Sequence, residues 1–153
     1  MNKKIHNNLT IDNLIKTEWF NQFDEEQQEQ INRGLKENLN VFLYAKKEFN
    51  CRQMFQIRYG LRANVDVSIY TKSEYEFDQM AEIRFGLEKD LDVSVYAKKE
   101  FDREQMRQIR FGLEENLDVS IYAKIIFNKN QMFQIRVGLE NNLDVSIYAK
   151  PEF

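Results

Sequence analysis

The sequence predicts an all-α fold, an α-solenoid of five 26-residue helix-pair repeats behind an N-terminal capping helix. Three observations carry that prediction. A unit of 26 residues, cleanest from Phe101 to Ile126 (FDREQMRQIRFGLEENLDVSIYAKII), starts at Phe23, Phe49, Tyr75, Phe101 and Phe127, and Phe153 opens a sixth. The five glycines (Gly34, Gly60, Gly86, Gly112, Gly138) occupy one position of it, with no insertion or deletion between them. Each unit also contains two helix starts. A fixed period of roughly 20–50 residues marks stacked modules, none of which buries its apolar stripe alone.

Residues 1–22 do not follow the unit and read as lead and cap; residues 23–153 are the array, the whole forming one domain. The first residues are polar and expected to fray. Leu14, Ile15, Trp19 and Phe20 then fall near helical spacing, with Asp12 as N-cap, so one helix is expected to cover the first repeat. Trp19 is its plug. His6 has no partner in sequence and is given no role.

Within the unit, Asp102 and Gln105 form a capping box, repeated as Asp24/Gln27, Asn50/Gln53 and Asn128/Gln131, with Glu76/Gln79 a weaker copy. Phe101 and Met106 suit a hydrophobic staple. Met106, Ile109 and Leu113 make an i, i+3, i+7 stripe, so a first helix is expected from about residue 103 to 115. Asn116, like Asn38, Asn64, Asp90 and Asn142, reads as a left-handed residue just past the helix end. The second start is Asp118, between Leu117 and Tyr122, and predicts a helix of one to two turns. The alternation of Leu117, Val119, Ile121 and Ala123 equally suits a strand, which would make an α/β solenoid with one short strand per repeat. The shared logic of cap and staple favours helices. Gly112 inside the first helix costs ~1 kcal/mol relative to alanine; five such costs in register predict a neighbouring backbone too close for a Cβ.

The composition is globular, with 42% apolar and 31% charged residues, and a formal charge of −3 gives no general drive toward nucleic acid or anionic membrane. A single cysteine excludes an internal disulfide framework and suits a reducing compartment, so a cytoplasmic location is expected. No apolar run suggests a signal peptide or a membrane span. With one histidine, one cysteine and no clustered metal ligands, the chain is not expected to be an enzyme or to need a cofactor. Cys51 sits in the first turn of a helix, where a thiolate is favoured, but has no base nearby in sequence.

Three ladders remain as candidate surfaces. Arg58, Arg84, Arg110 and Arg136 recur once per unit, with Asn32 in the first. They would grip phosphates or an acidic partner, or tie repeats together through Glu88, Glu114 and Glu140, four residues after the last three. Lys46, Lys72, Lys98, Lys124 and Lys150 follow the second element and read as a solvated edge, or as part of a positive track. The positions that vary most hold Glu29, Phe55, Ala81, Arg107 and Phe133, and Arg33, Tyr59, Phe85, Phe111 and Val137. Among them Phe55/Tyr59 and Phe133/Val137 are i, i+4 pairs off the Met/Ile/Leu stripe, a second apolar ridge buried against the next repeat or exposed for binding. The partner-binding candidates are therefore Phe55, Tyr59, Phe85, Phe111 and Phe133 with the four arginines. Ile125 and Ile126 form another contact patch, and the face bearing Leu143, Val145 and Ile147 is expected to be open to self-association.

The segments QMRQIRFGLEENLDVSIYAKIIF and QMFQIRVGLENNLDVSIYAKPEF, with the DVS-[IV]-YAK core at Asp92–Lys98, Asp118–Lys124 and Asp144–Lys150, resemble the GLDVSxYA-type tandem repeats of proteins from phages and conjugative elements of low-GC bacteria. In that family a glycine commonly stands where this chain has Asn116 or Asn142, and the first unit departs with NVFLYAK. The resemblance spans residues 23–153 and brings no set of functional residues. By association it implies mobile-element biology, with a small inhibitor docking on a host defence protein or nuclease complex, as anti-CRISPR proteins do, as the leading expectation. An RNA- or DNA-binding array using the Arg and Lys ladders, and a self-associating structural module, are the alternatives.

Overall fold

In the computed structural model, which describes residues 11–152, every regular element is helical and no strand occurs among the described residues. The polar leader with His6, and Phe153, lie outside them. Each repeat contributes one three-turn α-helix and one three-residue 3-10 turn: α3 (Glu25–Lys36) with Val41–Leu43, α4 (Cys51–Arg62) with Val67–Ile69, α5 (Phe77–Glu88) with Val93–Val95, α6 (Arg103–Glu114) with Val119–Ile121, and α7 (Lys129–Glu140) with Val145–Ile147. Two one-turn helices, α1 (Ile11–Leu14) and α2 (Glu18–Asn21), precede them. The fold is thus all-α and built on the repeat. It divides into two compact units, Met1–Met80 and Ala81–Phe153, with the division inside α5. α3 packs on α4 in the first and α6 on α7 in the second.

The helix starts follow the sequence. Both halves of the capping box are made by Asp24/Gln27, Asn50/Gln53, Asp102/Gln105 and Asn128/Gln131. In α5 the Glu76 N–H donates to Gln79 Oε1 at 2.8 Å, but the Gln79 N–H is taken by Asp78 Oδ1 at 2.9 Å, so this box is half formed. The helix ends follow it too. Asn38, Asn64, Asp90, Asn116 and Asn142 have φ between 55° and 58°. Beside each, two bonds close a Schellman motif: in α6, Asn116 N–H donates to Leu113 C=O at 3.1 Å and Leu117 N–H to Gly112 C=O at 2.9 Å.

The second element is shorter than the expected one- to two-turn helix. Asp66, Asp92, Asp118 and Asp144 accept from the N–H two residues on, at Ser68, Ser94, Ser120 and Ser146. That bond starts a single 3-10 turn, which ends where Tyr70, Tyr96 and Tyr122 leave helical geometry (φ −123°, −129° and −127°) and turn their rings into the core.

Those tyrosines explain the glycines, and they correct the expected cause. What fills the space beside Gly112 is the side chain of Tyr122 from its own repeat: an added Cβ would lie 1.9 Å from Tyr122 Oη and 2.7 Å from Val119 Cγ1. The other four glycines meet Tyr44, Tyr70, Tyr96 and Tyr148 in the same way. The Tyr122 hydroxyl donates to the Gln108 carbonyl at 2.8 Å, as Tyr44, Tyr70 and Tyr96 do to Gln30, Gln56 and Glu82. With Phe101, Met106, Ile109 and Val119, Tyr122 makes up the buried core of its repeat. Burial pushes the Tyr44, Tyr96 and Tyr122 hydroxyls well above the usual tyrosine range.

The N-terminal lead is two short helices and not one, because Thr17 interrupts it. Its hydroxyl donates to the Leu14 carbonyl at 2.7 Å and accepts from the Phe20 N–H at 3.4 Å, ending α1 and starting α2. Asp12 falls inside α1, and the N-cap that is observed is Thr17 of α2. Leu14 and Phe20 are buried, and Trp19 packs edge-on against Phe23 at 5.5 Å and against Phe42 at 5.2 Å. Phe42 belongs to the departing NVFLYAK segment, where the other repeats have serine. That departure gives Trp19 its partner.

Candidate functional site

The arginine ladder is built into the interior of each unit. In the first, Arg58 is 1% exposed; its Nε donates to Gln30 Oε1 at 3.1 Å and its Nη1 to both oxygens of Glu37, at 2.7 and 2.9 Å. Residue 62 is arginine where later repeats carry glutamate, so the preceding repeat supplies the carboxylate through Glu37. In the second unit, Arg84 pairs with Glu88, Arg110 with Glu114 and Arg136 with Glu140, the i, i+4 partners expected from the sequence. Arg110 Nε also reaches Glu82 Oε2 at 2.9 Å, and Arg136 Nε reaches Gln108 Oε1 at 2.9 Å, each on the repeat before. Arg58, Arg84 and Arg110 are buried, and Arg136 is half-buried. As members of a partner-binding set their head groups are therefore already engaged by the chain, and they serve as ties between and within repeats.

The ties include residues that the sequence reading passed over. Glu82 is 1% exposed and stands where the other repeats have Gln30, Gln56, Gln108 and Gln134. It accepts from Arg110 and, at 3.1 Å, from Arg107 Nε. Arg107 in turn occupies a position that is glutamate, phenylalanine or alanine elsewhere, so Glu82 and Arg107 are two halves of one local exchange. The capping-box glutamines are the other omission. Gln27, Gln53 and Gln105 Nε2 donate to the carbonyls of Phe49, Tyr75 and Phe127, at 2.8, 2.7 and 2.7 Å, at the start of the next repeat. One amide caps its own helix and joins the next repeat. Its signal was invariance within the array beyond what a cap alone needs.

The aromatic ridge lies over the arginines. In unit 2, Arg84 sits 4.5 Å from the Phe85 ring centroid, Arg110 5.6 Å from Phe85 and 4.8 Å from Phe111, and Arg136 5.4 Å from Phe111 and 5.5 Å from Phe133. The result is a column in which rings and guanidinium planes alternate. Phe85 is 37% and Phe133 43% exposed, with Phe111 half-buried between them. In unit 1, Phe55 and Tyr59 stack with ring centroids 4.2 Å apart, both half-buried, and Arg58 and Arg62 lie 4.9 and 5.0 Å from the Tyr59 ring. Beside the unit 2 column, Glu114 is pushed up by burial, but Lys89 at 2.7 Å and Arg110 outweigh that and hold it below the usual carboxylate range.

The other candidates sort simply. Lys46, Lys72, Lys98, Lys124 and Lys150 are all exposed, as are Ile125 and Ile126. Leu143 and Ile147 are exposed on the last repeat, whereas Val145 is buried, its Cγ1 lying where a Cβ on Gly138 would come within 2.6 Å. Cys51 Sγ lies 3.1 Å from Glu26 Oε2, and burial together with that carboxylate pushes the thiol up. The thiolate expected from the helix start is thereby disfavoured. Among the described residues no group of three or more His, Cys, Asp or Glu is arranged to hold a metal, and no helix is long and apolar enough to cross a membrane. Comparison with family models, with the curated proteins and with solved structures yields no match to this chain.

Proposed function

We propose that this chain acts by binding another protein, with the alternating ring and guanidinium column of unit 2 as its docking surface. The observation that carries the reading is the exposure of Phe85 and Phe133 on helices, where cation–π packing fixes their rings in advance. Aromatic anchors held rigid before association lose little side-chain entropy on binding, which is why such residues dominate binding energy. The resemblance of the repeats to those of mobile-element proteins points to a host defence protein or nuclease complex as the partner. The role is then that of a small cytoplasmic, anti-CRISPR-type inhibitor, working without catalysis or cofactor. A nucleic-acid reading needs guanidinium groups that can reach phosphates, and the burial of Arg58, Arg84 and Arg110 against carboxylates argues against it; the exposed lysine row is what that reading retains.

The test is affinity capture from a low-GC bacterial host lysate, with and without nuclease treatment, using the native chain and a Phe85→Ala/Phe133→Ala variant. The rings are 37% and 43% exposed and pack against guanidinium groups, so truncation costs about 1–2 kcal/mol each, and a circular dichroism spectrum checks that the variant stays folded. A protein that survives nuclease treatment and is lost from the variant supports the reading. Retention of the same protein by the variant refutes the surface. Capture abolished by nuclease, or by Lys98→Glu/Lys124→Glu, assigns the chain to nucleic acid instead.

A further inference from the structure

The helix pair of unit 1 carries a charge pattern that unit 2 lacks. The position held by Glu88, Glu114 and Glu140 in the later repeats is Lys36 on α3 and Arg62 on α4, and the position three residues before it is Arg33 and Tyr59. Residues three apart share a helix face, and Arg62 Nη1 lies 3.9 Å from Glu37 Oε1 at the end of α3, so these four side chains form one block across the last turns of the two helices. The Arg33 and Arg62 side chains are 53% and 51% exposed, and Lys36 is exposed. Arg33, Lys36, Arg58 and Arg62 are set against Glu29 and Glu37, so the block is positive; at the same positions of the last two repeats Glu114, Glu115 and Glu140 balance Arg107, Arg110 and Arg136. Helix ends favour cations, yet α5, α6 and α7 all end on glutamate, so the fold does not require one there.

We propose that this block binds a carboxylate-rich segment of a partner protein. The array has answered the carboxylate lost at residue 62, since Glu37 receives Arg58 through both oxygens, at 2.7 and 2.9 Å. The guanidinium gained there has no such use inside the chain. Its nearest carboxylate is the Glu37 that Arg58 already holds, and it lies over the Tyr59 ring, 5.0 Å from the centroid, which fixes it in place with half of the side chain in solvent. A guanidinium held in this way presents its fork of N–H donors to a carboxylate without first losing rotamer freedom. Phosphates would match the charge, but single-stranded nucleic acid is held by bases stacking on open aromatic faces. The Tyr59 ring is already covered, by Phe55 at 4.2 Å and by the guanidinium groups of Arg58 and Arg62. The formal charge of −3 also gives a dense polyanion no long-range attraction to the chain. The block shares no residue with the column of unit 2.

Titration of the isotope-labelled full chain with an octaglutamate peptide, followed by nuclear magnetic resonance, tests this. Exposed ion pairs are individually weak and screened by salt, so saturating shifts are expected at low ionic strength, concentrated at residues 33–36 and 59–62 and at the Arg62 Nε–H, and shrinking as salt is added. Arg62→Glu gives Arg58 the i, i+4 carboxylate that Arg84, Arg110 and Arg136 have, and Lys36→Gln changes an exposed side chain, so the double variant is expected to keep the native circular dichroism spectrum. It is expected to bind octaglutamate about tenfold more weakly. The Phe85→Ala/Phe133→Ala variant is expected to bind it as the native chain does, which separates this proposal from the docking surface of unit 2. Absence of shifts at these residues, shifts spread evenly along the lysine row, or unchanged affinity in the double variant overturns the proposal. So does an oligothymidylate of equal length that moves the same residues at lower concentration, which assigns the block to nucleic acid.

Discussion

Replacing Gly112 by alanine tests the central packing relation of the repeat. On an isolated helix the change stabilises by about 1 kcal/mol, because glycine is the poorer helix former. In this chain the new Cβ would stand 1.9 Å from Tyr122 Oη and 2.7 Å from Val119 Cγ1, closer than such atoms approach. Relief requires Tyr122 to move, which strains a packed core at a cost of about 1–3 kcal/mol and breaks the 2.8 Å bond to the Gln108 carbonyl, worth about 1 kcal/mol. The expected net loss is about 2 kcal/mol. Tyr122→Phe alone loses the hydrogen bond and leaves a small void, costing about 1 kcal/mol. In the double variant the 1.9 Å contact is gone and the nearest ring atom stands at 3.1 Å, while the Val119 Cγ1 contact at 2.7 Å remains, so the rescue is partial. The two changes should therefore couple favourably by about 1–2 kcal/mol. Urea unfolding of the four proteins, followed by far-ultraviolet circular dichroism, gives the cycle. Gly112→Ala as stable as the native chain, or effects additive within about 0.5 kcal/mol, would refute the reasoning.

The buried exchange in unit 2 predicts its own rescue. Glu82→Gln keeps an acceptor for Arg110 Nε, as Gln30 and Gln108 serve Arg58 and Arg136, but takes the buried carboxylate from Arg107 and should lower stability by about 1–2 kcal/mol in urea unfolding; adding Arg107→Phe restores the Gln30/Phe55 and Gln108/Phe133 combination and should recover most of the loss, so a double variant no better than the single one counts against the pairing. Alkaline titration probes the tyrosines: with their folded pKa raised by burial, stability is unaffected below the ordinary tyrosine value near 10. Above it the unfolded chain releases protons that the native chain keeps, and stability falls by about 1.4 kcal/mol per pH unit for each of Tyr44, Tyr96 and Tyr122. Their tyrosinate absorbance should rise together with loss of helix signal, and ionisation within the folded protein near pH 10 would contradict the assignment. Cys51 should react slowly with iodoacetamide at neutral pH and faster in Glu26→Gln, since the carboxylate holds the thiol protonated; equal rates would remove that role.

What could be read from the sequence follows from how far each interaction reaches along the chain. The capping boxes, the left-handed Asn and Asp residues and the Asp–Ser starts are local, set by side chains within three residues of the backbone groups they satisfy, and composition alone reveals them. Gly112 and Tyr122 are ten residues apart, so the sequence exposed a recurring glycine but not the ring that fills its place. The second element shows the same limit: its alternating pattern suits a helix or a strand, and only the tyrosine's entry into the core, stopped by one hydroxyl–carbonyl bond, holds it to a single 3-10 turn. The arginines lie further out still. Their i, i+4 glutamates were visible, yet the groups that decide their burial, Gln30, Glu37, Glu82 and Gln108, stand 28, 21, 28 and 28 residues away, about one repeat. A periodic sequence carries a usable signal even for those contacts, because a departure at one position is answered one period on. Glu82 with Arg107 is such a pair, and so is Arg62 with Glu37, which takes over the Arg58 partner that residue 62 does not provide. Read this way, the positions whose variation has no answering partner inside the array are the ones left for recognition. Phe85 and Phe133 on the column are among those that remain.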